Sequence, residues 1–408
     1  MIKTEEGCKS FSPVFSLKTT IMQKIISFLF SLFRNKKFLA LLILFGIVVK
    51  LCMLPFYPQP GDYTFFLLPW VEFIKSNGYF EAFRYPFANY TPAYLYFLLL
   101  IAKLGVAPLV GIKLLSVLFE YVAAWFVGAI AYQKYKENWV RWCAFAVVPL
   151  LPTVLINSSY WAQCDSIYAS FLLGSIYFVM KKRSLLSVLF LGISFSFKLQ
   201  AVLLFPFFFV LLLRNRIKWY YFLLIPAVYL VSVFPSYIAG RPLMDLLSVF
   251  VKQSSHYEEL SLQFPNIYMW ISNDYYEPVK WIGILFTFLF ALIGGGYLAW
   301  KRPVNLTNEY LVRLALLSAV IFPFILPGMH ERYMYAGDLL AVVYMLYFPR
   351  KFYYAVGIPI VSFFSYALCT SLNETLIHYL GVPMTIFYLL VIIGLIRDFV
   401  LSGKTSEK

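Results

Sequence analysis

The chain has 408 residues and is 62% hydrophobic and only 13% charged, a composition that excludes a water-soluble globular protein. Its apolar runs are long and continuous, which excludes the alternating segments of a membrane β-barrel. The net charge of +15 does not indicate nucleic-acid binding, because the Lys and Arg residues lie in short clusters between apolar runs. We therefore predict an all-α, polytopic membrane protein.

The N-terminal segment, residues 1–37, is expected to lie in the cytoplasm and at the membrane interface. Ile21–Phe33 is apolar with Lys24 inside it, and no small-residue cleavage site follows. We interpret it as an interfacial amphipathic helix and not as a cleavable signal peptide. The first span is predicted at Phe38–Phe56, and the basic cluster before it places the following loop outside.

The first outer loop, residues 57–108, contains a short apolar piece, Thr91–Leu104. If this piece crossed the membrane, the basic cluster after the next span would lie outside, and every later cluster would be on the wrong side. Its length of about fourteen residues is also short for a crossing. We therefore predict a re-entrant helix that stays on the outer side.

With that choice, residues 38–400 form one transmembrane domain with about twelve spans, and residues 401–408 form a cytoplasmic tail. A second large outer loop covers residues 239–279. Several spans are short, which predicts tilted or broken helices. The predicted spans are Phe38–Phe56, Leu109–Ala131, Val140–Ile156, Ser166–Met180, Ser184–Phe197, Leu199–Leu213, Tyr220–Ile238, Trp281–Trp300, Tyr310–Leu326, Tyr333–Phe348, Phe352–Cys369 and Met384–Ile396.

On this topology the unusual polar residues gather at the outer ends of the spans. Ionisable side chains inside a membrane bundle are costly and are functional by default. Asp62 is the first of them, in the loop that also holds Arg84; a carboxylate suits a general base, and cations suit a phosphate. The other candidates are Trp161, Gln163, Asp165, Lys198, Gln200, His330, Glu331, Arg332 and Tyr333.

Each candidate also has a structural interpretation. Asp62 and Asp165 could cap the helices that begin after them. Lys198 could extend its charged end to the outer interface, although a cation between two short apolar pieces also suits an anion. The run from His330 to Arg332 could be a structural ion pair. Taken together, carboxylates, cations and aromatic residues on one face favour transfer of a sugar from a lipid-linked phosphate.

An ordered set of motifs resembles the GT-C superfamily of polytopic glycosyltransferases, and within it the bacterial proteins similar to the GPI-anchor mannosyltransferases. The motifs cover most of the chain: GDYTFF, WVEFIKSNGYFEAF, NYTPAYLY, YWAQCDS, FKLQAVLLFP, LQFPNIYMW and MHERYMY. The resemblance implies a long first external loop that carries the catalytic Asp and a re-entrant helix. It also implies a polyprenyl-phosphate hexose donor of the mannose or glucose type, and an inverting single displacement.

The resemblance further implies a role for each candidate. Asp62 would be the base that deprotonates the acceptor hydroxyl. Lys198 and Arg332 would hold the donor phosphate, with His330 assisting. The substrate-binding residues would be Trp161, Gln163, Asp165, Gln200, Glu331, Tyr333 and Arg84.

No cofactor or metal ion is expected. Many relatives carry paired acidic residues in the first loop, whereas Gly61 and Tyr63 flank Asp62 here. The five cysteines include no Cys-x-x-Cys pair and predict neither a disulfide framework nor a zinc site. The expected partners are the lipid-linked donor, a glycan, lipid or protein acceptor, and membrane lipids. The expected location is the bacterial plasma membrane, with the site on the extracytoplasmic face.

Two other functions stay open. A transporter or flippase for a lipid-linked glycan would also use basic and aromatic residues, but it would place charges on both leaflets or midway along spans, in pseudo-symmetric halves. A glycan polymerase or ligase with a polyprenyl-diphosphate donor would share the outer Arg cluster. The donor, a lipid monophosphate or a lipid diphosphate, separates that enzyme from a GT-C-like transferase.

Overall fold

The computed structural model describes residues 23–24, 27–59, 61–254, 256–300, 306–369 and 374–404, and this part is almost entirely helical. Within the predicted interfacial helix Ile21–Phe33, the described residues 23–24 and 27–33 are helical, and the others lie outside the described part. Residues 401–404 of the predicted tail continue the last helix, and residues 405–408 lie outside the described part.

The α-helices are numbered here in chain order, and short 3-10 or π-helical turns connect several of them. The strands are β1 (Ser261–Leu262) and β2 (Met329–His330). The helices are α1 (Lys36–Met53), α2 (Leu68–Ser76), α3 (Pro92–Leu104), α4 (Pro108–Tyr135), α5 (Trp139–Val147), α6 (Pro152–Val154), α7 (Asp165–Met180), α8 (Ser184–Phe197), α9 (Phe205–Leu213), α10 (Leu224–Ile238), α11 (Leu243–Leu247), α12 (Val249–Ser254), α13 (Tyr276–Trp300), α14 (Asn308–Ile325), α15 (Tyr335–Tyr347), α16 (Tyr353–Cys369) and α17 (Glu374–Lys404).

Among the described residues, six helical stretches are long and apolar enough to cross a membrane. The pair Trp139–Leu150 and Pro152–Tyr160, which bends by 55°, makes a seventh if it is one span. Five further apolar helices, α7 and α8 among them, are shorter. The chain is therefore an integral membrane protein of the helical type, and the count of twelve spans stays a prediction.

Basic residues from the first two clusters lie at one end of the helix bundle. Arg34, just before α1, pairs with Glu137, just after α4, at 3.1 Å. Lys134, near the end of α4, lies 3.6 Å from Glu309 at the start of α14 and donates to the carbonyl of Tyr347 at the end of α15. One common basic end agrees with the distribution of charge that membrane insertion favours.

Lys113 joins α1 to α4 at the other end of these two helices. Its Nζ donates to the carbonyls of Met53 (3.0 Å), Leu54 (3.1 Å) and Phe56, where α1 ends. The chain between α1 and α4 therefore leaves and returns at the same end of the bundle. The intervening α3 has 13 residues, or about 20 Å at 1.5 Å per residue, against a hydrocarbon core of ~30 Å. Both observations support a re-entrant α3.

The first outer loop packs around a hydrophobic core of its own, separate from the main core of the bundle. Trp70 and Ile74 of α2, Phe83, and Leu95 and Leu98 of α3 are all buried in this second core. The loop therefore forms a compact layer at the end of the bundle, which gives Asp62 a defined position.

The re-entrant helix makes a prediction about accessibility. On a cysteine-free background, a cysteine at Asn138, beyond the end of α4, should resist a membrane-impermeant thiol reagent applied to intact cells. A cysteine at Lys75, which is exposed on the first outer loop, serves as the matched control and should react. Labelling of the Asn138 position from outside would show that α3 crosses the membrane.

Candidate active site

Four segments that are distant in sequence meet where α1 ends and α7 begins. Gln163 Nε2 donates to Asp62 Oδ2. Arg332 Nη2 lies 4.0 Å from the same Asp62 oxygen, and Arg332 Nε lies 4.0 Å from Asp165 Oδ2. Lys198 Nζ is 2.5 Å from Asp165 Oδ1. Two carboxylates therefore share one guanidinium, and candidates from four predicted outer ends belong to one site.

Asp62 does not act as a helix cap. It directly precedes a π-helical turn, Tyr63–Leu67, but its side chain makes no capping hydrogen bond. Its carboxylate instead accepts from Gln163, and its side chain is 32% exposed. The capping interpretation of Asp62 is therefore wrong, and its carboxylate is open to a ligand.

Asp165 and Lys198 form a buried ion pair. The N-cap residue of α7 is Cys164, and the Asp165 carboxylate accepts from Lys198 (2.5 Å) and from Asn157 Nδ2 (2.7 Å). The Lys198 ammonium also lies 5.3 Å from the ring centroid of Tyr90, within cation–π range. Lys198 is 2% exposed and does not reach the outer interface. Its charge is assigned to Asp165, so direct contact with a phosphate would require this pair to open.

The second outer loop holds the His330–Arg332 segment by its backbone. Strands β1 and β2 pair in parallel, with Ser261 opposite Met329 and Leu262 opposite His330. The pairing is extended by hydrogen bonds from Gly328 N to Leu260 O (2.8 Å) and from Glu331 N to Leu262 O (2.9 Å). This backbone pairing fixes the His330–Arg332 segment, between α14 and α15, to the second outer loop.

Glu331 and His330 set the charge state around Arg332. Burial alone would raise the pKa of the Glu331 carboxyl, but the Arg332 guanidinium, 2.5 Å away, and His330 outweigh it and lower this pKa to about 2. Burial, helped by the charge of Arg332, lowers the pKa of His330. At neutral pH Glu331 is therefore ionised and His330 is uncharged. His330 can offer a ligand hydrogen bonds but not a positive charge.

The site surrounds a cavity of about 50 Å³. Three buried polar atoms at its wall, Asn89 Oδ1, Gln200 Oε1 and Arg332 Nε, have no hydrogen-bond partner among the described residues. Native proteins rarely leave such atoms unsatisfied, so their clustering favours a polar ligand. The lining residues are Asp62, Phe66, Leu67, Trp70, Asn89, Tyr90, Gln163, Gln200, Gln253, His256, Tyr257, His330, Arg332 and Tyr333.

The remaining predicted residues lie beneath this cavity or away from it. Asp165, Lys198 and Glu331 form a buried layer of ion pairs under the cavity wall. Trp161 is buried and packs edge-on against Tyr366, with 5.2 Å between ring centroids.

Arg84 does not join the site. It is exposed, and its Nε donates to Ala239 O at 3.3 Å, which ties the first outer loop to the second. The cation that lies beside Asp62 is Arg332 and not Arg84.

Asn157 and Tyr90 are among the site residues that were missed from the sequence. Asn157 is buried and donates both to Asp165 and to the Tyr366 hydroxyl (2.8 Å). The signal that could have identified Asn157 is its position directly after the predicted span Val140–Ile156. Tyr90 lines the cavity, faces Lys198 and belongs to the motif NYTPAYLY. Because the chain has 32 tyrosines, the residue type alone did not single it out.

No three His, Cys, Asp or Glu side chains among the described residues are placed to hold a metal ion, and metal independence stays a prediction. Comparison with models of known protein families, with curated proteins and with solved structures finds no match to this chain. The function is therefore argued from the geometry of the site.

The Asp165–Lys198 pair predicts a non-additive effect on stability. Lys198→Met leaves a buried carboxylate without its cation, and removing one partner of a buried pair costs about 3–5 kcal/mol. Adding Asp165→Asn removes the unpaired charge and should recover a large part of that loss. Thermal unfolding of the parent, both single variants and the double variant in detergent gives the coupling. Additive losses would show that the pair contributes no coupling energy.

Proposed function

We propose that this protein is a membrane glycosyltransferase. It moves a hexose of the mannose or glucose type from a polyprenyl-phosphate donor to an acceptor hydroxyl at the outer membrane face, with inversion, and Asp62 is the general base. The resemblance to the GT-C superfamily motivates the reaction class. The support from the structure is the arrangement around the cavity.

The observation that carries the proposal is the difference among the three carboxylates of the site. The side chains of Asp165 and Glu331 are each 1% exposed and lie 2.5 Å from a Lys or Arg nitrogen. Asp62 is 32% exposed, lines the cavity, and has its nearest cation at 4.0 Å. A general base must reach the substrate proton, and of these three carboxylates Asp62 meets that requirement.

Arg332 supplies the site for the departing phosphate. It lines the cavity, it lies 4.0 Å from Asp62, and its Nε has no hydrogen-bond partner among the described residues. A guanidinium binds phosphate oxygens through two parallel N–H donors. The phosphate gains negative charge as the sugar leaves, so this contact is stronger in the transition state than in the bound donor.

An apolar groove of about 470 Å³ next to the cavity supports a lipid-linked donor. The cavity and the groove share two segments of the chain. In the turn Leu199–Leu204, Gln200 lines the cavity and Leu203 lines the groove. Four residues before His330, Leu326 also lines the groove. A phosphate beside Arg332 could therefore continue into an isoprenoid chain against α9, α13 and α14.

The proposed reaction is a single displacement. Asp62 accepts the proton of the acceptor hydroxyl while the acceptor oxygen forms a bond to C1 of the sugar. The bond between C1 and the phosphate oxygen breaks, and the electron pair leaves with the polyprenyl phosphate. Arg332 stabilises the charge on this leaving group, and the uncharged His330 donates a hydrogen bond to it.

Donor binding requires the cavity to widen. A volume of about 50 Å³ is far below the roughly 300–1,000 Å³ of typical small-molecule pockets. Gln253, His256 and Tyr257 of the second outer loop form one wall, and Trp70 and Tyr90 of the first outer loop form another. Separation of these two loops would expose aromatic faces suited to a sugar ring.

Asp62→Asn tests the base. The amide keeps the size of the carboxylate but cannot take a proton, so turnover should fall by about 100- to 10,000-fold while donor binding is retained. The measurement is sugar transfer from a synthetic polyprenyl-phosphate donor by purified protein. Asp274→Asn, at an exposed carboxylate of the second outer loop, is the matched control and should keep parent turnover. Near-parent turnover in the Asp62 variant would remove Asp62 from this role.

Arg332→Lys tests the phosphate contact. Lysine keeps the charge but loses the planar pair of donors, and a hydrogen bond to a charged group contributes about 1.5–3 kcal/mol. The Kd for a polyprenyl monophosphate should therefore rise roughly 10- to 100-fold. Because the change also disturbs Glu331, thermal unfolding of the Arg332 variant is measured alongside. Parent affinity in a folded Arg332→Lys protein would contradict the assignment, and a preference for the diphosphate would favour the polymerase or ligase.

A further inference from the structure

The π-helical turn Leu155–Tyr160, between α6 and α7, is anchored to an ion pair inside the helix bundle. The buried Ser158 of this turn donates to Glu120 on α4. The buried Ser159 accepts from Lys50 on α1 at 3.3 Å, and Lys50 Nζ lies 2.5 Å from Glu120 Oε2. π-Helical turns are rare and are frequent at functional sites. A turn held by a buried ion pair is suited to fix the position of the side chain beside it.

That side chain is Asn157, which is buried and contacts the supports of two carboxylates of the candidate active site. Its Nδ2 donates to Asp165 Oδ2 at 2.7 Å and to the Tyr366 hydroxyl at 2.8 Å. Its backbone carbonyl accepts from the backbone N–H of Gln163 at 2.9 Å, and the side chain of Gln163 donates to Asp62. The position of Asn157 therefore affects both Asp165 and Asp62.

Both oxygens of the Asp165 carboxylate are within hydrogen-bond distance of a donor. Lys198 Nζ lies 2.5 Å from Oδ1, and the Asn157 amide occupies Oδ2. Arg332 Nε lies 4.0 Å from the same Oδ2, which is beyond hydrogen-bond distance, and this Nε has no hydrogen-bond partner among the described residues. The Asn157 amide thus supplies the hydrogen bond that Arg332 would otherwise be drawn to make.

We propose that Asn157 is a positioning residue that keeps the guanidinium of Arg332 available to the donor phosphate. A buried carboxylate oxygen without a donor is costly, and Arg332 Nε would need to move only about 1 Å to reach Asp165 Oδ2. The Nε and Nη2 donors of Arg332, each 4.0 Å from a carboxylate oxygen, would then no longer be aimed together at a phosphate. The inference rests on the phosphate contact of Arg332 proposed above.

An amide suits this task better than a second cation. Asp165 already has the full charge of Lys198 at 2.5 Å, so a further positive charge at Oδ2 would leave an excess charge buried. The amide satisfies the oxygen and adds no charge. Because its other N–H is bound by the Tyr366 hydroxyl, the amide cannot turn away from Asp165 without losing a second hydrogen bond.

The test is the Kd of the purified protein for a synthetic polyprenyl monophosphate. Asn157→Ala removes the amide, so Arg332 should pair with Asp165 and the Kd should rise about tenfold. Asn77→Ala is the matched control, because the Asn77 amide donates to Phe73 O at the end of α2 and lies outside the cavity wall; it should keep the parent Kd. A parent that does not bind the lipid would contradict the proposed function. A parent and an Asn157→Ala variant that bind it equally well would contradict only this inference.

A second background separates positioning from a general loss of structure. In the double variant Lys198→Met, Asp165→Asn there is no carboxylate to attract Arg332, so adding Asn157→Ala should change the Kd less than about twofold. The same rise in both backgrounds would overturn the proposal.

Tyr366→Phe provides the test if Asn157→Ala does not fold. The variant keeps the ring beside Trp161 but removes the hydroxyl that orients the Asn157 amide. The Kd should therefore rise by a smaller factor, about two- to fivefold, in the parent background, and should stay unchanged in the double variant. A parent Kd in a folded Tyr366→Phe protein would also count against the proposal.

Discussion

A charge buried where water cannot reach must be neutralised, and in this protein that requirement decides which segments meet. Lys198, at the junction of α8 and the following turn, finds Asp165 at the start of α7. Arg332, between α14 and α15, finds Glu331 and approaches both Asp62 and Asp165. The Lys198–Asp165 pair and the approach of Arg332 to Asp62 and Asp165 bring the ends of different helices together, and the candidate active site is the place where these ends converge.

The same requirement separates reactive from structural groups. Asp165 and Glu331 are each in a close ion pair, which stabilises the fold. Asp62, whose nearest cation is 4.0 Å away, remains accessible to a substrate proton. Asp62 sits at the edge of the charged layer, on a loop with its own hydrophobic core. The loop core fixes the backbone, Gln163 orients one carboxylate oxygen, and the cavity leaves the rest of the group open.

The sequence predicted the membrane class and the convergence of its polar outer ends, because apolar length and the placement of Lys and Arg follow from the bilayer itself. It did not predict the pairing. Lys198 and Arg332 are both cations in the sequence, yet Lys198 is paired with Asp165 whereas Arg332 lines the cavity. Which carboxylate lies 2.5 Å from which cation depends on helix packing that local patterns do not encode. The same applies to Arg84, which shares the first outer loop with Asp62 but contacts the second outer loop.

The hydrogen bonds from Lys113 to the carbonyls at the end of α1 have a consequence for the insertion of the protein into the membrane. Alone, α1 is a poor substrate for the insertion machinery, because it carries Lys50 in its last turn, and an unpaired charge is costly to place in a bilayer. Its counter-ion, Glu120, lies on α4, as does Lys113, which covers the carbonyls at the end of α1. The charge of Lys50 on α1 and the charge of Glu120 on α4 are therefore neutralised only when the two helices are packed together. We therefore expect α1 to stay beside the translocon until α4 has been synthesised. The two helices would then enter the lipid together as a hairpin, with the first outer loop already folded between them.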